Sequence, residues 1–470
     1  MSRTPGRVII IGAGPTGLGA AYRLEELGHT DYVVLERAAA PGGLAASVTD
    51  PAGYTWDIGG HVQFSHYTYY DRAIDRAVNA WLSHERASWI WIRGRWVPYP
   101  FQNNLHRLDE ADCRRALEGL ERASGARASA AAPAHFGEWI TATFGEGIAD
   151  LFLRPYNVKV WGYPLDRIGV GWMGERVAVP DVDRIRRNVA TGQDDVSWGP
   201  NRTFRFPLEG GTGAIWRGVS GLLPAERQRF SAAVAAIDDA RKEVALAGGG
   251  ALPYDTLVST MPLDRLCALV PSLSRAERDL AGALCYSSVH IVGVGLEGPR
   301  PETLARKCWM YFPEANSPYY RVTVFSNYSP RNVPAGDCWS LMAEVCESPA
   351  KPVDGTRVAR EVVEALRDDG LLLPETRVAS VYHHREEHGY PTPFVGRDEV
   401  IDPLRTALDA RGIFSRGRFG AWKYEVSNQD HSFMQGVELA DRLVLGAGEV
   451  TVVRPDEANS GIFLRQDDRR

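Results

Sequence analysis

The chain has 470 residues, of which 44% are hydrophobic, and it carries a formal net charge of −6 with a pI near 6.0. This length exceeds what one hydrophobic core usually supports, so we expect two or three domains. The acidic balance argues against nucleic acid and anionic membrane partners, and the apolar runs are too short to span a bilayer, so we expect a cytoplasmic protein without a membrane segment.

A dinucleotide-binding turn is predicted near the start of the chain. The apolar run Val8–Ile11 leads into a glycine motif, Gly12, Gly14, Pro15, Thr16 and Gly17. The glycines permit a tight turn, close approach of the backbone to a pyrophosphate, and packing of the next helix on the strand. Glu36 ends the following apolar run about 20 residues later, where a carboxylate can bind the adenosine ribose.

The motif by itself leaves nicotinamide and flavin cofactors open. Glu36 is followed by Arg37 and then by Pro41–Leu44, which contains a second glycine pair. Such a pair just after the ribose-binding acid resembles the superfamily of enzymes that bind FAD.

Residues from about 105 to 195 have a helical apolar spacing, whereas short β-like segments begin near residue 230. We therefore predict an α/β fold: a Rossmann-like FAD-binding domain with an inserted helical domain and an antiparallel β-sheet domain. The expected boundaries are 1–80, 205–265 and 410–460 for a discontinuous FAD-binding domain, 105–198 for the helical domain, and 81–104 with 266–409 for a sheet domain that binds substrate.

No metal site is predicted. The six cysteines have no CxxC spacing, and they are expected to be reduced. His384 and His388 are four residues apart, but Gly389–Pro393 follows at once and excludes the helix that would let them face one metal ion.

A glycine pair and a histidine follow a predicted strand at Gly59, Gly60 and His61, with Phe64 three residues further on. The glycines permit close approach to a flat ring, and His61 could stack on that ring or form a hydrogen bond with it. A buried structural histidine is the alternative interpretation.

An aromatic and amide cluster occupies Trp96–Asn104 and includes Tyr99, Phe101 and Gln102. Such rings can stack on a nucleobase, and an amide can recognise its edge. The alternative is a packing corner stiffened by prolines. The segments 154–161 and 201–207 carry similar side chains and allow the same two interpretations.

Three arginines, Arg176, Arg321 and Arg418, are candidates for binding a pyrophosphate through bidentate, charge-assisted hydrogen bonds. Each one taken alone is more often an ordinary surface or ion-pair residue. A polar turn at Ser427–Met434 is predicted to open the last long helix, whose N-terminus could face the same pyrophosphate.

Several runs, in chain order, closely resemble the UDP-galactopyranose mutase family in its eukaryotic-type branch, and the composition also suggests a bacterial homologue. They are GGHVQFSHYTYYD, GRWVPYPFQNN, IADLFLRPYNVKVW, GERVAVP, WGPNRTFRFP, GGTGAIW, HGYPTP and GRFGAWKYEVSNQDHSFMQGVE. The resemblance covers nearly the whole chain. It implies a non-redox isomerase that interconverts UDP-galactopyranose and UDP-galactofuranose, a ring contraction, through attack of reduced flavin N5 on the anomeric carbon.

The resemblance also implies roles for individual residues. The catalytic residues are expected to be Arg176, Arg321, His61 and Asn201. The residues that bind the nucleotide sugar are expected to be Phe64, Tyr99, Phe101, Gln102, Phe152, Asn157, Trp161, Tyr311, Tyr390 and Tyr424. Those that bind FAD are expected to be Gly12, Gly14, Pro15, Thr16, Gly17, Glu36, Arg37, Gly43, Leu44, Gly59, Gly60, His61, Val234, Arg418, Asn428, Gln429 and Ser432. NADPH or NADH is the expected reductant.

Two alternatives remain open at this point. The same mechanism could act on another nucleotide sugar, such as UDP-arabinopyranose or a deoxysugar nucleotide. A flavin amine oxidase could share the fold, but a net oxidase has no need for an arginine pair. Compared with the family, surface segments such as the one between Tyr328 and Trp339 are short here, which leaves the oligomeric state open.

Overall fold

The computed structural model describes residues 5–126, 131–196, 199 and 202–464. Its strands, β1 to β19 in chain order, are Val8–Ile11, Tyr32–Leu35, Ser47–Thr49, Thr55–Asp57, Trp81–Glu85, Trp89–Ile92, Arg95–Pro98, Thr203–Pro207, Gln228–Arg229, Val234–Asp238, Glu243–Leu246, Ala251–Pro253, Thr256–Ser259, Tyr286–Glu297, Trp309–Tyr311, Arg321–Thr323, Cys338–Glu347, Arg377–Pro391 and Ile413–Ser415.

The α-helices connect these strands and form a layer of their own. In chain order, α1 to α13 are Pro15–Glu26, Thr68–Ala77, Glu110–Ala126, Phe136–Ile148, Arg154–Trp161, Val182–Thr191, Gly213–Gly221, Leu263–Leu269, Arg275–Gly282, Val358–Asp368, Arg397–Ala410, Gln429–Leu445 and Pro455–Asn459.

A five-stranded parallel sheet with the order β19-β13-β1-β2-β9 supports the dinucleotide motif. The fully buried strand β1 has alternate residues on opposite faces: Val8 and Ile10 join one hydrophobic cluster, and Ile9 and Ile11 join another. Burial on both faces explains the uninterrupted apolar run. Because the strands are parallel, the loops after β1, β2, β13 and β19 meet at one edge.

Helix α12 packs closely across α1 at small residues. A Cβ built on Gly436 would lie 2.0 Å from the Thr16 carbonyl oxygen, and one built on Gly19 would lie 2.3 Å from the Phe433 carbonyl oxygen. This close crossing places the first turn of α1 against the middle of α12.

The helical layer is built from α3 to α6 around one hydrophobic cluster. Helix α3 approaches the end of α4 so closely that a Cβ on Gly145 would lie 2.2 Å from the Gly119 carbonyl oxygen, and Gly145 has φ +74. A π-helical stretch, Ala149–Leu153, joins α4 to α5. Tyr311, Tyr390 and Tyr424 pack on this cluster from outside the layer. The helical layer therefore covers one side of a cleft that these tyrosines line.

A seven-stranded sheet with the order β18-β14-β17-β16-β15-β6-β7 forms the other large layer. The sheet is antiparallel, as predicted, except where β15 pairs with β6 in parallel. The 15-residue strand β18 was not predicted, because its exposed positions carry charged and histidine side chains that interrupt the apolar pattern.

The aromatic strand β4 lies flat on this sheet. A Cβ on Gly293 would lie 2.5 Å from the Trp56 ring, and one on Gly295 would lie 2.7 Å from the Tyr54 ring. Because only glycine leaves room for these rings, β14 holds β4 closely, and the chain after β4 is directed along the sheet. This packing places Gly59–His61 beside β16 and β17.

The predicted domain boundaries remain a proposal. The parallel sheet draws its strands from residues 8–35, 228–259 and 413–415, while β5 pairs with β8 in a separate two-stranded sheet. None of the helices within the described part of the chain has both the length and the apolar character that crossing a bilayer requires.

Candidate active site

The turn after β1 has the shape that a dinucleotide requires. Gly12 has φ +102, and a Cβ there would lie 2.1 Å from the Thr260 hydroxyl oxygen. A Cβ on Gly17 would lie 1.9 Å from the Gly12 carbonyl oxygen. Helix α1 begins at Pro15, which has no N–H, after Gly14, which provides no side-chain cap, so the Thr16 and Gly17 amides of the first turn are free to bind an anion.

A second glycine segment faces this helix N-terminus. The Gly42 amide donates to the Ala13 carbonyl oxygen at 2.9 Å. A Cβ on Gly14 would lie in ordinary van der Waals contact with the Gly42 oxygen at 3.8 Å and the Gly43 Cα at 3.9 Å, so the two glycine segments approach each other closely here. The two glycine segments therefore form a backbone cradle of the size and donor chemistry that fit a pyrophosphate.

Glu36 lies at the end of β2 and is buried. Its Oε2 accepts a hydrogen bond from the Ala13 amide at 2.8 Å, and its Oε1 accepts one from the Ala38 amide at 2.8 Å. Each oxygen keeps a second lone pair, so the carboxylate shapes the turn and can still accept from a ribose hydroxyl. Arg37 is exposed, while Leu44 and Val234 pack on one hydrophobic cluster.

The first turn of α12 supplies the other predicted cofactor contacts. Asn428 is the N-cap residue without a side-chain cap bond, and its carbonyl oxygen accepts from the Ser432 amide at 2.8 Å. Gln429 Oε1 accepts from Trp216 Nε1 at 2.7 Å. The start of α12 is therefore held to α7 through Trp216, and its contact with a cofactor stays a prediction.

The segment Gly59–His61 forms a tight turn between this edge and the seven-stranded sheet. Gly59 has φ +108, and a Cβ on Gly60 would lie 3.0 Å from the Thr323 hydroxyl oxygen. His61 Nδ1 is buried without a hydrogen-bond partner. Burial lowers the pKa of His61 to about 4, and the Arg418 and Arg321 guanidiniums add to this effect against the opposing Glu344 carboxylate. His61 is therefore neutral near pH 7.

This pKa gives a testable pH dependence. Between pH 6.5 and 4 the unfolded chain binds a proton at His61 that the folded protein does not, so acidification through this window lowers the free energy of unfolding. We expect the wild-type protein to lose more stability than the His61→Asn variant over this range, by thermal unfolding. Above about pH 7.5 the difference between the two proteins should be constant. If the stabilities of the two proteins fall equally with pH down to pH 4, the expectation is contradicted.

Glu344 is a site residue that the sequence analysis missed. It is buried in β17, directly opposite Arg321 of β16 in the strand register. Its two oxygens accept from Arg321 Nε and Nη2, each at 2.7 Å, and it also accepts from the Tyr320 hydroxyl at 2.7 Å and the Gly60 amide at 3.1 Å. An acid flanked by apolar residues in the interior of the strand, Leu341–Ala343 before it and Val345 after it, was the signal that could have revealed it.

The ion pair sets the charge of both partners. Although burial favours the neutral form, the Arg321 guanidinium holds the pKa of Glu344 below its ordinary value. Burial likewise opposes the charge on Arg321, and the carboxylate nevertheless raises its pKa. Arg321 Nη1 has no hydrogen-bond acceptor among the described residues, so one face of its guanidinium is free for a ligand oxygen.

Arg176 and Arg418 lie on the tyrosine side of the cleft. The Arg176 Cζ lies 4.7 Å from the centre of the Tyr424 ring, and the Arg418 Cζ lies 5.1 Å from that of Tyr390 and 5.8 Å from that of Tyr424. Within the described part of the chain, neither guanidinium pairs with a carboxylate. Burial and the Arg176 charge lower the pKa of Arg418. Two cations beside two phenols without a carboxylate form a site for an anion.

Each of these guanidiniums is held by neutral acceptors. Arg176 Nη2 donates to the Glu425 carbonyl oxygen at 3.0 Å and to Asn428 Oδ1 at 3.2 Å. Arg418 donates to the Ser427 hydroxyl at 2.8 Å and to the Gly389 carbonyl oxygen at 3.0 Å. Both charges are therefore oriented but not neutralised.

The predicted nucleoside-binding residues fall into two groups. Tyr99 and Tyr311 have partly exposed rings, with centroids 5.4 Å apart, and Phe64 is also partly exposed. Phe101 and Phe152 are buried and stacked at 5.0 Å, so their contact with a ligand stays a prediction.

Three further candidates have polar groups near the helical layer. Gln102 Nε2 donates to the Ala178 carbonyl oxygen at 2.8 Å, and Asn157 Nδ2 donates to the Leu153 carbonyl oxygen at 2.7 Å. Trp161 is buried with its Nε1 unpartnered, and its ring lies 4.9 Å from that of Tyr424. Asn201, the fourth predicted catalytic residue, lies outside the described residues.

A buried polar cluster links the histidine segment to α12. Asp430 Oδ2 accepts from the His66 amide at 3.0 Å and lies 2.7 Å from His66 Nδ1. The rings of His66 and His431 stack at 4.5 Å with 30° between their planes, and one possible ligand atom from each of His66, Asp430 and His431 lies within 4.8 Å of the others. The hydrogen bonds of the cluster tie the His66 segment to the start of α12.

Comparisons with known proteins agree with this architecture. A family model described as an NAD(P)-binding Rossmann-like domain matches residues 10–77. The chain is similar to the crystal structure of a reduced UDP-galactopyranose mutase, with 48% sequence identity, 97% coverage of each chain and a TM-score of 0.94.

More distant solved structures share the fold alone. A CLA-producing fatty acid isomerase from P. acnes has 15% identity and a TM-score of 0.62, with coverage of 94% of this chain and 99% of that one. A putrescine oxidase bound to putrescine has 15% identity, a TM-score of 0.60 and the same coverage.

Proposed function

The chain belongs to the UDP-galactopyranose mutase family, a family of flavoenzymes, and on this premise we propose that it interconverts UDP-galactopyranose and UDP-galactofuranose as a non-redox isomerase. The observation that carries this assignment is the pair Arg176 and Arg321: among the described residues Arg176 has no carboxylate partner, and Arg321 keeps its Nη1 free beside Glu344. A diphosphate supplies the negative charge that such a pair requires. An amine oxidase has no comparable anion to bind, which disfavours that alternative.

The cofactor is FAD in this proposal. Its pyrophosphate would be held by the cradle of Gly12, Gly14 and Gly43, its adenosine ribose by Glu36, and its ring system beside the glycine pair Gly59 and Gly60, which has no side chains to block a flat ring. Reduced FAD supplies a nucleophilic N5 for the anomeric carbon of the sugar, with NADPH or NADH as the reductant.

The arginines bind the substrate diphosphate and stabilise the charge that develops as UDP leaves. Arg321 offers its free Nη1, while Glu344 holds the rest of the guanidinium in place. Arg176 and the hydroxyls of Tyr390 and Tyr424 approach the diphosphate from the other side. Fixed donors of this kind act with little reorganisation as the leaving group gains charge.

His61 acts as a neutral group next to the reacting sugar. Its pKa of about 4 keeps both ring nitrogens available as one donor and one acceptor near pH 7. Its unpartnered Nδ1 provides a hydrogen-bonding position for the sugar or the flavin. We place uridine against Tyr99, Gln102, Asn157 and Tyr311, with Phe101, Phe152 and Trp161 behind them.

The compartment we propose is the cytoplasm. All six cysteines are unpaired, as is usual where glutathione and thioredoxin keep thiols reduced.

The assignment predicts an enzyme that works only when its flavin is reduced. We expect anaerobic incubation of dithionite-reduced protein with UDP-galactofuranose to give UDP-galactopyranose by chromatography, and the oxidised protein to give none. UDP-arabinopyranose and an amine with oxygen serve as comparison substrates. Equal conversion by the oxidised protein, or oxygen consumption with an amine, would contradict the proposed reaction. If the reduced protein converts UDP-arabinopyranose but not UDP-galactofuranose, the mechanism stands and the substrate is a different nucleotide sugar.

A further inference from the structure

A buried ion pair lies behind the tyrosine side of the cleft. Arg397 is the first residue of α11, and its Nη1 and Nη2 donate to the two oxygens of Glu425, each at 2.7 Å. Both residues are 6% exposed. The arrangement is a parallel, bidentate fork, which fixes the direction of the carboxylate as well as its position.

The pair controls a turn that carries several cleft groups. Glu425 follows Tyr424 in a short 3₁₀ turn, Tyr424–Val426. The Glu425 carbonyl oxygen accepts from Arg176 Nη2 at 3.0 Å and from Asn459 Nδ2 at 3.2 Å. The side chain of Glu425 is therefore anchored on one side of the turn, while its backbone holds Arg176 on the other.

The same pair also reaches the segment after Tyr390. The Arg397 amide donates to the Phe394 carbonyl oxygen at 3.1 Å, and Phe394 forms a β-bridge with Ile168. Strand β18, which ends at Pro391, presents Tyr390 just before this segment. One ion pair thus joins the two chain segments whose phenols flank Arg418.

A contribution to the free energy of unfolding is not enough to explain this buried ion pair. Removing two charges from water is costly, and replacing a buried ion pair by apolar residues of similar volume is often neutral or stabilising. Lysine cannot reproduce the fork, because its ammonium group is a point charge. The bidentate arrangement fixes the direction of the Glu425 side chain, and with it the orientation of the Tyr424 turn.

We propose that Arg397 is a positioning residue, which acts through Glu425 to orient Tyr424 and Arg176 for the diphosphate of the substrate. This role rests on the proposed function, since the diphosphate is part of the proposed substrate. Arg397 itself does not contact the cleft groups Tyr390, Tyr424 or Arg418 in any hydrogen bond among the described residues.

The test separates orientation from stability by using a double variant. The double variant Arg397→Met, Glu425→Met removes the ion pair without leaving a buried charge. The single variant Arg397→Lys keeps a positive charge opposite Glu425 but cannot form the two parallel hydrogen bonds. Arg23→Met serves as the control, because it removes the ion pair between α1 and Asp441, at 2.7 Å, outside the cleft. Each protein is assayed for flavin content, thermal unfolding midpoint, UDP affinity, and KM and kcat with UDP-galactofuranose.

We expect the double variant to keep its flavin and to have UDP affinity and KM about tenfold poorer than wild type, because displacement of oriented groups weakens binding even when no contact residue changes. The UDP affinity and KM of Arg397→Lys should lie between those of the double variant and wild type. Arg23→Met should have the wild-type KM. Wild-type UDP affinity and KM in the double variant would overturn the proposal, whatever happens to its unfolding midpoint.

The UDP titration tests Arg397 even if the proposed reaction fails or the double variant does not fold. If the wild-type protein binds UDP but turns over no UDP-galactofuranose, the proposed reaction fails, and the UDP titration still tests Arg397. If the double variant does not fold, the UDP affinity of Arg397→Lys tests the positioning role instead. Wild-type affinity at full flavin content would overturn that role, and weaker affinity would support it.

Discussion

Replacing Arg321 or Arg176 with alanine is expected to lower kcat/KM for UDP-galactofuranose by about 10²–10³-fold, equivalent to about 3–4 kcal/mol of transition-state stabilisation. In the proposed reaction both guanidiniums bind the diphosphate, which gains negative charge as the bond to the sugar breaks. Removal of either one leaves that charge less well neutralised in a partly buried cleft, where charge-assisted hydrogen bonds are strong.

The Arg321→Ala variant needs a companion, because it leaves the Glu344 carboxylate buried without its partner. Arg321→Lys keeps a positive charge beside Glu344 and should fold, but it loses the bidentate geometry, so its kcat/KM should lie between those of the alanine variant and wild type. Arg360→Ala, an exposed pair with Glu364 on α10, is the control. Anaerobic initial rates near those of wild type in both Arg176→Ala and Arg321→Ala would refute the diphosphate clamp.

Substitution of Gly17 with alanine is expected to yield protein without bound flavin. The added methyl group would lie 1.9 Å from the Gly12 carbonyl oxygen, and this contact is with backbone, which cannot rotate away. The start of α1 would have to move off β1, and the amides that form the pyrophosphate cradle would move with it. Flavin absorbance per protein in the purified variant measures the effect.

Gly221→Ala is the matched control for this substitution. Gly221 also lies in a helix, α7, and a Cβ there would meet no atom within 4 Å. This variant should keep full flavin content and unfold at the wild-type temperature or slightly above it, because alanine favours the helix. Full flavin occupancy in Gly17→Ala would show that the turn after β1 does not hold the cofactor.

The sequence by itself determined the parts of this protein that depend on local pattern. The run Val8–Ile11, the glycines after it and Glu36 are close in the chain, so their order predicted a strand, a turn and a ribose-binding acid. The start of α12 was predicted in the same way, from a polar turn before an apolar helical spacing. Longer ordered runs then identified the family, which the solved mutase with 48% identity confirms.

Only the tertiary structure decided which distant groups meet. Glu344 opposes Arg321 because of the register between β16 and β17, and a shift of one residue would have turned the carboxylate to the other face. Arg397 pairs with Glu425 because α11 begins beside the turn that precedes α12. Arg176 and Arg418 come from segments more than 200 residues apart. Pairing of this kind depends on chain packing, and no local spacing encodes it.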